Sequence, residues 1–163
     1  MYRTGIITLS DKGAAGLRED LSGPAIKAML PTDAYEVVEY TVISDDQEGI
    51  ERELIRLCDD VGCDLVLTTG GTGFSMRDHT PEATMKVATR NAPGIAEAIR
   101  AYSMTVTKRA MLSRGASVIR NNTLIVNLPG SPKAVRESLE FILDSLPHGL
   151  DILKGEASEC ARK

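Results

Sequence analysis

Short, nearly unbroken apolar runs alternate along the chain with stretches in which apolar residues recur every three or four positions. Gly5-Ile6-Ile7-Thr8-Leu9 opens the series of short runs. Glu36 to Ile43, Leu65 to Thr69, Ser117 to Arg120 and Thr123 to Asn127 continue it. Runs of this length, rich in β-branched residues and bounded by polar or glycine clusters, predict strands. Helical spacing fills the intervals. Ile26, Met29 and Leu30 mark a helix that stops near Pro31, and Ile50, Leu54, Leu57 and Val61 fall on one face of the next. Ser44 and Gln47 have the spacing of a capping box at the start of that second helix.

From Thr80 to about Lys108 the pattern is helical again, with Thr80 as N-cap, Pro81 at the first helical position and a break at Asn91-Ala92-Pro93-Gly94. Asn121-Asn122 reads as the turn between the last two strands. Ser131 then caps a long helix whose buried face is Val135, Leu139, Ile142, Leu143 and Leu146. Strand–helix alternation of this kind predicts an α/β fold, a three-layer sandwich in which a mostly parallel central sheet is covered on both faces. The expected organisation is one domain over residues 1–154 and a loose tail over residues 155–163.

Composition narrows the function. Four Tyr, two Phe and no Trp leave an aliphatic core and little surface for stacking single-stranded bases. A net charge of -4 argues against a general nucleic-acid or anionic-membrane surface, so any phosphate site must be local. Cys58, Cys63 and Cys160 are an odd number without C-x-x-C spacing, which fits a reducing cytoplasm better than a disulfide framework or a zinc knuckle. The N-terminus turns directly into a strand with no apolar signal core, and no run reaches transmembrane length.

Ligands of open α/β sheets bind outside the carboxyl ends of the strands. Four segments fall there: Ser10-Asp11, Asp45-Asp46, Gly70 to Asp78, and Pro129 to Lys133. The turn Gly70-Gly71-Thr72-Gly73 is not a Walker A loop, because no Lys-Ser or Lys-Thr follows. Nor is it a dinucleotide fingerprint, because Met76 occupies the third glycine position. By itself it is a strand exit or a ligand loop. Asp78 and Asp45 each precede or open a helix, so each is either a carboxylate on a helix dipole or a hard oxygen donor for Mg²⁺ beside phosphate. Asp46 is the weaker neighbour.

Arg77 is a phosphate clamp or a solvated arginine. His79 has only His148 as company, which builds neither a metal cluster nor a triad. Ser10 and Ser131 can donate to phosphate or cap a turn. Lys133 opposes the dipole at the start of the last helix, which favours an anion nearby. No nucleophile elbow and no cysteine with a histidine close in sequence occurs. The chemistry left open is positioning plus charge neutralisation, as in phosphoryl or nucleotidyl transfer.

Four motifs then resemble one family. Ile6-Ile7-Thr8-Leu9-Ser10-Asp11, Thr68-Thr69-Gly70-Gly71-Thr72-Gly73, Arg77-Asp78-His79-Thr80-Pro81-Glu82-Ala83-Thr84 and Asn127-Leu128-Pro129-Gly130-Ser131-Pro132 match the molybdopterin adenylyltransferases and their close relatives in order and spacing. The resemblance implies a molybdopterin-binding fold, a homotrimer, and a Mg²⁺-dependent reaction between ATP and the terminal phosphate of molybdopterin. It also implies a downstream protein that inserts molybdate. By position, Asp78 resembles the family's essential aspartate and Asp45 the acid after the second strand. Gly70, Gly71, Thr72 and Gly73 would line the adenylate pocket. Ser10, Asp11 and the Pro129-Gly130-Ser131 loop would hold pterin and phosphate. A non-catalytic pterin- or nucleotide-binding carrier on the same scaffold is the alternative, as is a phosphosugar- or cyclic-nucleotide-binding module.

Overall fold

A computed structural model describes residues 1–156. The strands are β1 (Tyr2–Leu9), β2 (Tyr35–Ile43), β3 (Leu65–Thr69), β4 (Arg90–Asn91), β5 (Ser117–Arg120) and β6 (Thr123–Leu128). They form one sheet in the order β2-β1-β3-β6-β5-β4. The first four in that order run parallel, and β5 and β4 add an antiparallel edge. The α-helices are α1 (Asp11–Ala14), α2 (Ser22–Met29), α3 (Gln47–Ile55), α4 (Thr80–Val87), α5 (Gly94–Met104), α6 (Pro132–Ile142) and α7 (Leu146–Lys154).

Side-chain alternation along the parallel strands explains why their apolar runs are unbroken. Ile6, Leu67 and Val126 are in register across β1, β3 and β6 and share a buried cluster with Ile26, Leu139, Leu146 and Leu150 from α2, α6 and α7. The neighbouring positions Ile7, Val66 and Ile125 join the opposite cluster with Ile50 and Leu54 of α3 and Ala83 and Val87 of α4. Both faces of the sheet are therefore covered, as the continuous runs require. Each fully buried aliphatic side chain contributes about 1.5–3 kcal/mol relative to exposure.

Several local expectations are corrected. The cap of α3 is Asp46, whose Oδ2 accepts from Gly49 N at 2.8 Å, so Ser44 and Gln47 form no capping box. Helical winding continues past Ile55 as a π-helical turn over Arg56–Asp60, which buries Leu57 and Cys58. Thr80 lies inside α4, and the cap position falls to His79, whose side chain makes no capping bond. The Thr80 hydroxyl is spent elsewhere: it donates to Gly70 O at 2.9 Å from a fully buried position.

The helical stretch expected from Thr80 to Lys108 divides. Arg90 and Asn91 form β4 against Ile119 and Val118, and a 3-10 turn spans Lys108–Leu112. A two-residue strand has no periodicity to read, and only its partner defines it. Likewise α6 ends at Ile142, and a 3-10 turn leads to α7, where Pro147 has no N–H to continue the ladder. Gly155 closes α7 in the left-handed conformation (φ 73°). The rest of the expected tail, residues 157–163 with Cys160, lies outside the described residues.

Candidate active site at the strand ends

The chain leaves β1 for β2 on one side and then crosses over β1 to reach β3 on the other. Strand order thus reverses at the β1/β3 boundary, and a crevice opens beyond their carboxyl ends. Near these ends Thr8, Thr68, Thr69 and Asn127 interrupt the aliphatic runs. Thr69 Oγ1 donates to Pro129 O at 2.6 Å, and the buried Asn127 Nδ2 donates to Thr68 Oγ1 at 3.0 Å and Thr84 Oγ1 at 2.9 Å. These bonds tie the exits of β3 and β6 to α4, so the crevice floor is satisfied internally.

The glycine turn is built for close approach. Gly70 has φ 96°, and a Cβ there would stand 2.5 Å from Leu9 O of the adjoining strand. Gly71 has φ 67°, and a Cβ there would collide with Thr80 Oγ1. Only glycine meets both the torsion and the space. Beyond the turn, Asp78 Oδ2 accepts from Ser75 N at 2.9 Å and lies at the edge of a cavity of about 520 Å³.

Asp45 enters the same cavity from the end of β2. It exchanges two hydrogen bonds with Asp11: Asp11 N donates to Asp45 Oδ2 and Asp45 N donates to Asp11 Oδ1, both at 3.0 Å. Half-burial raises the Asp45 carboxyl above the ordinary range; the Asp11 amide opposes the shift, and the negative charges of Asp11 and Asp78 add to it. Asp11 goes the other way. Its hydrogen bonds from Arg77 hold it below the usual carboxylate range, helped by the Asp45 amide. Arg77 grips it with both arms, Nε to Oδ2 at 3.0 Å and Nη2 to Oδ1 at 2.8 Å.

Of the residues marked in the sequence, the fold brings Ser10, Asp45, Gly70, Gly71, Asp78, Gly130 and Ser131 around this cavity. Thr72 and Gly73, the second half of the turn, do not line the cavity, Thr72 being buried. Asp11 and Arg77 satisfy each other outside the lining, and Pro129 sits behind it as the acceptor for Thr69. Lys133 points away: its side chain is 82% exposed, and Nζ stands 3.9 Å from Glu137. Ser10 and Ser131 keep their capping roles, accepting from Gly13 N and Ala134 N.

The fold also supplies a wall that no motif announced, made by Arg18, Glu19, Asp20, Leu21 and Ser22. Asp20 is its anchor, accepting from Thr8 Oγ1 at 2.6 Å, from the Tyr40 hydroxyl, from Ser22 N at 3.0 Å and from Gly23 N at 3.2 Å. Burial pushes its carboxyl up, but these donors outweigh burial and hold it below the ordinary value. Burial, the hydrogen bond to Asp20 and the Asp20 charge push Tyr40 up to about 12, so it stays a donor at neutral pH. Ser22 Oγ then donates to Gly130 O at 2.7 Å and joins this wall to the β6–α6 turn. A signal was present, since Asp20 stands two residues before the first residue of α2 and accepts from the Ser22 and Gly23 amides there, but its side-chain partners Thr8 and Tyr40 are distant in sequence.

The donor set suits a divalent cation shared with phosphate. Asp45 and Asp78, both lining the cavity, each commit one carboxylate oxygen, Oδ2, to a backbone amide, and among the described residues Oδ1 has no hydrogen-bond partner. No group of three or more His, Cys, Asp or Glu that could hold a metal occurs among the described residues, so the protein offers no closed metal cage. Mg²⁺ commonly binds through one or two carboxylates, with phosphate and water completing its shell.

Comparison with known proteins agrees with this architecture. The family described as a probable molybdopterin binding domain matches residues 5–148. The molybdopterin adenylyltransferase of Helicobacter pylori (strain ATCC 700392 / 26695) is 42% identical over 161 residues, 98% of this chain and 92% of the relative. The molybdopterin adenylyltransferase of Escherichia coli K12 is 40% identical over 174 residues, 98% of this chain and 89% of the relative. The solved structure of the molybdopterin biosynthesis enzyme MoaB from Thermus thermophilus superposes with a TM-score of 0.91 at 45% identity, covering 98% of this chain and all of that one.

Proposed function

The chain belongs to the molybdopterin-binding domain family, and we propose that it is a molybdopterin adenylyltransferase of molybdenum cofactor biosynthesis. An oxygen of molybdopterin's terminal phosphate attacks the α-phosphorus of ATP. The bond from that phosphorus to the oxygen bridging to the β-phosphate breaks, and pyrophosphate leaves. The product is molybdopterin carrying AMP. The observation that carries this reading is the pair Asp45 and Asp78, each with an uncommitted oxygen at one cavity beside a glycine turn that admits close backbone approach.

The lining charges support a cation requirement. Glu19, Asp20, Asp45 and Asp78 face the cavity with Arg18 as their one basic companion in the lining. A polyphosphate entering this field meets repulsion unless a cation comes with it. When bound, Mg²⁺ supplies that neutralisation, and Asp45 and Asp78 are the residues to hold it. Gly70 and Gly71 admit the nucleotide phosphates against the strand ends, while Ser10, Gly130 and Ser131 orient the pterin phosphate. Arg77 and Asp11 fix the backbone beside Asp45. No side-chain nucleophile is needed, because the acceptor phosphate is already anionic.

A homotrimer belongs to the same reading. Met104, Val106, Met111 and Leu112, between 37% and 60% exposed, gather apolar surface around the 3-10 turn, as a subunit contact would require. The reading further includes a cytoplasmic setting, in keeping with the buried free thiols of Cys58 and Cys63, and delivery of the product to a molybdate-inserting protein.

The decisive assay incubates the purified chain with ATP, Mg²⁺ and molybdopterin and looks for adenylylated molybdopterin and pyrophosphate. Asp78→Asn is expected to lower transfer by about 10²–10³-fold while ATP affinity changes less than about threefold. Ligand binding by the parent protein without any product would leave the carrier reading in place of the enzyme.

A further inference from the structure

Arg114 stands outside every motif that the sequence singles out, between the 3-10 turn and β5. Its Nε donates to Gly73 O at 2.7 Å and its Nη2 to Asp78 O at 2.8 Å. Nη1 pairs with the carboxylate of Glu82 in the first turn of α4. Its backbone N donates to Thr72 O at 2.8 Å. One planar guanidinium thus holds both ends of the Gly73–Asp78 loop and the helix that follows. A lysine ammonium is a point charge and lacks the fixed fork that spans three acceptors.

Thr80 holds the base of the loop, its hydroxyl donating to Gly70 O at 2.9 Å and its N to Gly71 O at 3.2 Å, but between Gly73 and Asp78 little besides Arg114 fixes it. Phe74, Ser75, Met76 and Arg77 are all exposed, so packing contributes little there. Its internal bonds include Ser75 N to Asp78 Oδ2 and Asp78 N to Ser75 O at 3.0 Å, which move with the loop rather than anchoring it. The Arg77–Asp11 pair is solvent-facing, with side chains 56% and 43% exposed, and such pairs stabilise weakly. The Arg114 segment is itself held from behind, because Arg100 Nη1 on α5 donates to Gly115 O at 2.6 Å.

We propose that Arg114 is the positioning residue for Asp78, setting through the main chain where that carboxylate stands at the cavity. The inference rests on the reading of Asp78 as part of the AMP-transfer site. Arg114 touches no substrate in this role. It restricts the loop to one arrangement, and a displacement of about 1 Å in a reacting group can cost about a hundredfold in rate.

The test uses the full chain with Arg114→Ala and Arg114→Lys, read by hydrogen exchange and by steady-state AMP transfer. In Arg114→Ala, amide exchange over the loop between Thr72 and Glu82 is expected to speed up by about tenfold or more, with β1 and β6 unaltered. The kcat should fall by about ten- to a hundredfold while KM for ATP stays within about threefold. Millimolar guanidinium ion should restore part of the lost kcat, and Arg114→Lys should not. Parental kcat in Arg114→Ala, or full kcat in Arg114→Lys, overturns the proposal. Exchange that is unaltered over the loop, or faster throughout the chain, overturns it as well. If the parent protein transfers no AMP, the proposed function falls, and the exchange profile alone decides the clamp: local acceleration keeps it and unaltered exchange ends it.

Discussion

Asp20 and Asp45 face one cavity, yet their surroundings drive them in opposite directions. Asp20 has a carboxyl held below its ordinary value by four donors, so its stabilising contribution is present above the unfolded-state value and is lost as pH falls through the folded one. Asp20→Asn is therefore expected to cost about 1–3 kcal/mol in urea unfolding at pH 7, with the gap to the parent closing below about pH 4. Asp45 has its carboxyl raised, chiefly by burial. Its contribution is greatest below the unfolded-state value and is lost as pH rises through the folded one, so at neutral pH the ionised group opposes folding. Asp45→Asn keeps an acceptor for the Asp11 amide and removes that charge. Without Mg²⁺ and nucleotide, its thermal midpoint is expected to equal or exceed the parent's, while AMP transfer falls steeply. A lower midpoint in calorimetry would contradict this account of Asp45.

Among the elements, α3 and its cap separate a structural acid from a candidate one. Asp46 is the weaker of two adjacent candidates in the sequence, and the structure gives it the N-cap of α3 through Gly49 N. Asp46→Ala should cost about 1 kcal/mol in chemical denaturation and leave KM and kcat for AMP transfer unchanged. The glycine turn and α4 form the other instructive pair. Sequence pattern puts Thr80 at the cap, but the hydroxyl instead fastens Gly70 O, locking the turn to the helix that carries its far end. A polar side chain at a helix start has several acceptors within reach. Which one it takes depends on whether a strand exit lies alongside.

For the molecule as a whole, the sheet's order decides where the crevice lies, and the proposed trimer rests on the apolar surface around the 3-10 turn. The proposed trimer should give a solution mass of about three times the 17.6 kDa chain by light scattering. Val106→Glu with Met111→Glu should shift it towards one chain mass, because two charges would enter a buried apolar contact. A parent protein that runs as a single chain at micromolar concentration would sink the trimer.

The α/β alternation and most strand limits were legible because burial on both faces forces apolar continuity, which needs no partner to be read. β3 is the clearest case, with the same limits, Leu65–Thr69, in sequence and structure. Ser10, Asp45, Gly70 and Ser131 were legible as site candidates for a related reason: each follows closely on a strand, and parallel strands deliver their ends to one edge, while Asp78 was legible because it closes the loop that leaves β3 for α4. The two-residue β4, the Asp20 wall and the Arg114 clamp were not. Side-chain partners that place them lie far off in sequence, 12 residues for Thr8–Asp20, 41 for Gly73–Arg114 and 108 for Ser22–Gly130, and irregular segments carry no periodicity that fixes such distances. The sequence by itself determined which runs must be buried and which polar or glycine segments must follow the strands, because both follow from local pattern and the energetics of burial. Only the tertiary structure decided which candidate carboxylates keep a free oxygen, since that depends on which amide or guanidinium the fold brings within about 3 Å.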